Sequence, residues 1–241
     1  MSRFIWYELM TTDPTAAEEF YPEISGWGGE PFDEGGAPYT IWTRDGEPVG
    51  GLMELPEEAR AAGAPPNWMG YVGVADIRAA AGRAVELGAT LEIEPREIPT
   101  AGTFAVIGDP QGAVLALYES ARPSSNVAST GPGRFSWHEL ATSDVEAAFG
   151  FYAELFGWVV VEDMDMGPAG VYRLYGQPAA PPLGGMFTRP PEMPGPPAWL
   201  YYVTVADLER AMGAVQAGGG RVLMGPHEVP GGDRIAQCLD P

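Results

Sequence analysis

From Phe4 to Met10 the chain alternates. Ile5, Tyr7 and Leu9 fall on one face and Trp6, Glu8 and Met10 on the other, the two-residue period of a strand. Thr12-Asp13-Pro14 follows, a capping side chain and then a residue whose fixed φ suits a first helical turn. Ala16, Ala17, Phe20 and Ile24 supply the apolar stripe of a short helix, and Gly26 ends it. Strands are predicted around Tyr39–Thr43 and Val49–Leu55, set apart by turn clusters at Gly35-Gly36 and at Arg44-Asp45-Gly46-Glu47. One strand, one helix and three strands make the unit. After a loop over Pro56–Pro66 the order restarts with a strand at Trp68–Val74. A helix from Asp76 then carries Ile77, Ala80, Ala81, Ala84, Val85 and Leu87 at helical spacing, and Gly88 stops it. Strands near Leu91–Ile98, Thr103–Ile107 and Ala113–Tyr118 complete this second unit, and the Ser/Pro/Gly-rich stretch Ser120–Gly133 reads as a linker.

The second half repeats the first. Trp6 and Trp137, Glu8 and Glu139, Asp13 and Asp144, Phe20 and Phe151, Trp27 and Trp158, Trp68 and Trp199, Asp76 and Asp207, and Asp109 and Asp240 are each 131 residues apart. The chain is a duplication, and function has to be read on the repeat. The expected organisation is one domain over 1–121, with modules 4–55 and 67–119, and a second over 134–241, with modules 135–188 and 198–241. Proline-rich loops are added at Pro178–Pro182 and Arg189–Pro197. Where the first half runs on from Asp109-Pro110 through Gln111-Gly112 into a last strand, the sequence reaches Asp240-Pro241. The second domain is therefore expected either to have a further tail or to leave a sheet edge open.

At 241 residues, 45% hydrophobic, the chain can bury two cores of ordinary size. No apolar run approaches a membrane span, and Met1-Ser2-Arg3-Phe4 leads straight into a strand, so a cytoplasmic protein with no membrane partner is expected. A net charge of −20 argues against nucleic acid, which is bound by neutralising phosphates. All 13 basic residues are arginine, which removes Schiff-base lysines and P-loop lysines from consideration. The single cysteine, Cys238, stands in a Gln-Cys-Leu strand and is expected to be a buried structural thiol.

Four strand-helix-strand-strand-strand modules, with the runs Asp13…Phe20-Tyr21…Gly26-Trp27 and Asp144…Phe151-Tyr152…Phe156-Gly157-Trp158 and the turn Asp109-Pro110-Gln111-Gly112, resemble the vicinal oxygen chelate superfamily. That superfamily includes glyoxalase I, bleomycin-resistance proteins and extradiol dioxygenases, and the likeness covers nearly the whole chain. Within it the chain looks like the two-domain actinobacterial glyoxalase-like proteins, often labelled hydroxylases. The resemblance implies an α+β fold of four tandem βαβββ modules in two duplicated domains, with curved, mostly antiparallel sheets around a small ligand. It also implies metal ligands seven residues before each helix-capping aspartate and seven after the aspartate of the final Asp-Pro. Those positions are Trp6, Met69 and Ala116 in the first half and Trp137 and Leu200 in the second. None suits a hard divalent ion, so no metal and no other cofactor is expected. His138 and His227, the two histidines, are expected to be a packed core imidazole and a loop residue.

On the inferred concave face this leaves Glu8 beside Trp6 and Met10, and Glu139 beside Trp137. A carboxyl next to an indole in a dry cavity has its charged form disfavoured, which suits acid or base work. Alternatively each glutamate accepts hydrogen bonds from side chains of neighbouring strands and fixes the sheet. Tyr71 and Tyr202 share the face by strand parity and offer ring and hydroxyl to a ligand. Arg234 could pair with an anionic ligand or with Glu139, or lie on the surface. Gly50-Gly51 and Gly184-Gly185 read as strand bulges, since no helix follows them. The reading favoured is a metal-independent small-molecule protein, either an isomerase-, lyase- or hydroxylase-like enzyme using Glu8 or Glu139, or a binder that sequesters a metabolite or drug. A metal-dependent glyoxalase or dioxygenase ranks below both, and the protein is expected to be a monomer or homodimer.

Overall fold

A computed structural model describes residues 2–32, 37–121 and 130–241. The expected turn at Gly35-Gly36 and residues 122–129 of the expected linker lie outside them. The elements are β1 (Phe4–Thr11), α1 (Pro14–Ser25), β2 (Gly28–Phe32), β3 (Tyr39–Arg44), β4 (Glu47–Glu54), α2 (Glu57–Ala61), β5 (Asn67–Gly73), α3 (Ile77–Glu86), β6 (Thr90–Ile98), β7 (Gly102–Gly108) and β8 (Val114–Ser120). The second repeat supplies β9 (Phe135–Thr142), α4 (Val145–Phe156), β10 (Val159–Asp165), β11 (Val171–Gly176), β12 (Pro182–Thr188), β13 (Ala198–Val203), α5 (Leu208–Ala217), β14 (Arg221–Glu228) and β15 (Arg234–Leu239). The fold is the expected α+β arrangement of repeated modules. Two elements went unpredicted: β2, whose Gly28-Gly29 start carries no strand signal, and the single turn of α2 within the Pro56–Pro66 stretch.

Helix starts follow the sequence signal. The carboxylates of Asp13, Asp76, Asp144 and Asp207 accept from the backbone N–H groups of Ala16, Ala79, Ala147 and Arg210, satisfying donors that a helix start leaves orphaned. Gly26 and Gly157 end α1 and α4 with φ of 70°, a left-handed turn that a side chain would strain.

The described residues form two compact units, and each draws on both repeats. One lies within Met1–Tyr7, Met69–Ala128 and Trp137–Tyr202, the other within Glu8–Trp68, Ser129–Ser136 and Val203–Pro241. In the first unit the order is β1-β5-β8-β7-β6 in one sheet, with only the Phe4–Tyr7 end of β1, and β10-β11-β12-β9-β13 in the other. In the second unit β2-β3-β4 continues to the Glu8–Thr11 end of β1, while β14 and β15 make a two-stranded sheet. Neighbours are mostly antiparallel, but β1–β4, β9–β12 and β5–β8 run parallel.

The repeated Tyr, Trp and Asp residues turn out to be the joints of these units. In the first unit the Trp199 indole N–H donates to the Tyr152 hydroxyl, which donates to Asp109 Oδ2 at 2.9 Å. In the second, Trp68 donates to the Tyr21 hydroxyl, which donates to Asp240 Oδ2 at 2.7 Å. Each tyrosine thus reaches an aspartate of the other repeat. The indoles of Trp27 and Trp158 likewise donate to the carbonyls of Gly133 and Ser2, again a pair 131 residues apart. Duplicated residues making reciprocal bonds explain why these side chains recur with the repeat.

Cys238 is a correction. It stands exposed near the end of β15, which in its two-stranded sheet has a neighbouring strand, β14, on one side only. His227 is also exposed, on β14.

Candidate functional site

On β9, His138, Leu140 and Thr142 are buried while Trp137 and Glu139 turn to the opposite, half-buried face. The register pairs Glu139 with Gly185 on β12, and β12 lies between β9 and β11. Gly185 has no side chain to stand between them. Tyr172 on β11 therefore reaches across it, and its hydroxyl donates to Glu139 Oε2 at 2.8 Å. From β13 on the other side, the Tyr202 hydroxyl donates to Glu139 Oε1 at 3.1 Å. The Trp137 indole N–H donates to the Tyr172 oxygen at 3.0 Å, so Trp137, Tyr172, Glu139 and Tyr202 form one connected chain of hydrogen bonds. Phe187 stacks beside Tyr172 with centroids 6.1 Å apart, and Leu200, exposed, shares the β13 face of Tyr202.

Burial pushes the Glu139 carboxyl above its ordinary value, opposed by the Tyr172 bond and then by the Tyr202 bond, both of which favour the charged form. The carboxyl is thus held by two hydroxyls and flanked by the aromatic side chains of Trp137, Tyr172 and Tyr202. Burial likewise raises Tyr172, with the neighbouring Glu139 charge adding to it, so this hydroxyl keeps its proton and acts as a donor.

The second unit repeats the device. Glu8 on β1 pairs in register with Gly51 on β4, and Tyr39 on β3 reaches over that glycine to donate to Glu8 Oε1 at 2.9 Å. Met10 pairs with Met53 beside it, and Phe32 meets Tyr39 edge-on at 6.1 Å. The glycine pairs are thus not themselves bulges. Gly50-Gly51 and Gly184-Gly185 hold regular register with β3 and β11, and each register shift falls just before them. Their role is the close approach of a tyrosine. Tyr39 and Tyr172 escaped the sequence reading because insertions move them off the 131-residue offset, to 133. A search for tyrosines facing the recurrent Gly-Gly would have found them.

The positions at which the resemblance places metal ligands do converge in the first unit. Trp6 and Met69 pack against the buried cluster of Tyr71, Val106 and Ala116, with Ile93, Phe104 and Tyr118 around it. An indole, a thioether and a methyl group offer no hard oxygen or nitrogen donor, so these residues do not fit a divalent cation. In the second repeat Trp137 is engaged with Tyr172, and Leu200 is aliphatic. Among the described residues no three His, Cys, Asp or Glu side chains stand close enough to hold an ion. Tyr71 is buried in the apolar cluster rather than lining an open face. Arg234 lies exposed and pairs with Glu209 of α5 at 2.6 Å, a surface arginine.

His138 is buried among aromatic rings. Its Nδ1 must carry the proton, because that atom faces the Leu183 carbonyl at 2.6 Å and a carbonyl can only accept. Nε2 is then the acceptor for the Tyr7 hydroxyl at 2.5 Å. The register shift at β12 leaves Leu183 unpaired with β11 and turns its carbonyl to the imidazole. Phe4 stacks on the ring at 4.1 Å. Burial drives His138 down to about 4, so it stays neutral and is a core residue, not a site residue.

Residues 134–241 match the family described as Glyoxalase/Bleomycin resistance protein/Dioxygenase superfamily, and residues 6–118 match the Glyoxalase-like domain. The chain is 32% identical over 239 residues to the protein of Mycobacterium tuberculosis named "Putative glyoxylase CFP32", covering 98% of this chain and 90% of that one. It is 28% identical over 249 residues to the anthracycline biosynthesis protein DauV of Streptomyces sp., covering 98% and 88%. Among solved structures, an extradiol ring-cleaving dioxygenase from B. fuscum superposes with TM-score 0.67 at 18% identity, over 99% of this chain and 68% of that one. A Mn(II)-bound glyoxalase from Novosphingobium aromaticivorans gives 0.59 at 16% identity, over 99% and 83%. At such identities the structures share the fold. No helix among the described residues is long and apolar enough to cross a membrane.

Proposed function

The chain belongs to the glyoxalase/bleomycin resistance protein/dioxygenase superfamily, and from that premise we propose that it binds a small planar molecule with a polar edge in the Glu139 cup, without metal. The observation that carries this reading is the half-buried Glu139 carboxyl, raised by burial and held by two tyrosine hydroxyls beside the Trp137 indole. An aromatic wall accepts a flat ring, and a carboxyl at its edge is the group that accepts or donates a proton. The reaction that fits is a proton transfer of the isomerase or lyase type at an enolisable or phenolic position, to which such a group contributes roughly 10²–10⁴-fold. The relative named for anthracycline biosynthesis supports a planar polycyclic ligand. The Glu8 cup, with the Tyr39 bond and the paired Met10 and Met53 beside it, is a second binding surface of the same design.

One observation favours a second reading. Both Glu139 oxygens already accept a hydroxyl, as in a carboxylate that fixes a sheet, and a cup so satisfied sequesters its ligand without turnover.

Calorimetric titration with alizarin, a planar hydroxyanthraquinone, tests both. Wild type binds; Glu139→Gln, which keeps shape but removes charge, loses roughly 1.5–3 kcal/mol, tenfold or more in affinity. Trp137→Ala weakens binding as well. Wild-type affinity in both variants contradicts the site. A change in the mass or spectrum of the recovered probe marks an enzyme, whereas binding with the probe returned intact marks sequestration.

A further inference from the structure

The Gly185 gap is an unusual thing for a sheet to keep. A glycine inside a strand packs nothing and loses backbone entropy on folding, so it persists where something must pass close. Here that something is one ring. A Cβ built on Gly185 would fall inside the ring and hydroxyl of Tyr172, and one built on Gly51 would fall inside the ring and hydroxyl of Tyr39. Both glycines sit opposite a glutamate in the parallel β-ladder, and in both cases the tyrosine crossing the glycine ends on that glutamate. The two copies have kept the arrangement although their spacing has changed, by two residues at the tyrosine and three at the glycine.

We propose that Tyr172, admitted by Gly185 and anchored by the Trp137 indole, is a positioning residue that sets the orientation and the protonation of Glu139, and that Tyr39 over Gly51 plays the same part for Glu8. The geometry divides the labour within the cup. Trp137 N–H points at the Tyr172 oxygen, which leaves the hydroxyl proton directed at Oε2, and Tyr202 holds Oε1 from the opposite strand. With both oxygens held, the carboxyl plane is fixed relative to the sheet. Hydroxyls that donate to a carboxylate stabilise its charged form, countering the burial that opposes it. Tyr172 therefore opposes the upward push of burial on Glu139. Tyr172 acts on a ligand only through Glu139.

The inference rests on the functional reading of Glu139, but its test needs no ligand, so the two can fail separately. Wild type and Tyr172→Phe, labelled with ¹³C at glutamate side-chain carboxyls, are titrated by NMR, with the Glu139 resonance assigned by its loss in Glu139→Gln. Tyr172→Phe keeps the ring and the packing, and the Glu139 midpoint is expected to rise by about one pH unit. Gly185→Ala leaves the hydroxyl in the chain but pushes the ring aside, and should raise the midpoint in the same direction. If Gly185→Ala folds poorly, pairing it with Tyr172→Ala should restore the melting temperature, because the clash is with that ring. A Glu139 midpoint in Tyr172→Phe within about 0.2 units of wild type overturns the proposal, whatever alizarin does. A double variant no more stable than Gly185→Ala alone overturns the role given to the glycine.

Discussion

Within the first unit Trp6 and Trp137, which are 131 residues apart, stand in different surroundings. Trp6, with Met69 and Ala116, closes into an apolar cluster around Tyr71 and Val106. Trp137, with Tyr172 and Tyr202, opens around a carboxyl. At the positions where the resemblance implies metal ligands, Trp6, Met69 and Ala116 in one repeat and Trp137 and Leu200 in the other, neither copy offers donors for a hard cation. What differs is what surrounds the tryptophan: apolar packing for Trp6, and for Trp137 a tyrosine bonded in turn to a glutamate.

The largest effect should come from forcing the first copy toward chemistry. Ala116 is fully buried, and Ala116→Glu places an unpaired carboxylate in the apolar cluster, costing about 3–5 kcal/mol in denaturant unfolding. Added Mn(II) should not restore it, since Trp6 and Met69 give the ion nothing to bind. Full recovery with metal would mean that the cluster is a disguised metal site.

The second effect separates the copies by pH. At the position where the first repeat has Tyr7 the second has His138, and the two side chains are bonded to each other. His138 sits at about 4 in the folded chain against an ordinary 6.5. Between those values the unfolded chain takes up a proton that the native imidazole refuses. The contribution is therefore whole above about pH 6.5 and is lost progressively as pH falls toward 4, roughly 3 kcal/mol in all. Unfolding free energies of wild type should fall more steeply across that window than those of His138→Phe. Parallel curves would show that the imidazole titrates freely.

Much of this was legible in the sequence. The 131-residue repeat, the aspartate caps and the αL glycines announced modules and helix ends, because each rests on local chemistry that one residue can carry. The face shared by Trp137, Glu139 and Tyr202 followed from strand parity. Tyr172 did not, since crossing a glycine from two strands away depends on sheet order. The burial of Tyr71 and the exposure of Cys238 were illegible for the same reason, because coverage of a face is decided by strands distant in the chain. Nor could periodicity reveal that each compact unit takes modules from both repeats, as that is a matter of long-range partners.

A smaller effect sharpens the comparison further. Trp137→Phe removes the N–H that anchors Tyr172 and should weaken alizarin binding by about 1 kcal/mol with the fold intact. Trp6→Phe, a change within apolar packing, should leave affinity at the Glu139 cup unaltered. Equal losses in the two variants would mean that the copies are not functionally distinct.

Whether the Glu139 cup receives the ligand is decided by a crystal structure of the protein soaked with alizarin. The ring system is expected against Trp137 and Phe187, with an oxygen of the probe within hydrogen-bonding distance of Glu139 or of the hydroxyls of Tyr172 and Tyr202. Density for the probe elsewhere on the molecule, with the Trp137–Tyr172–Glu139–Tyr202 chain unchanged, would contradict it.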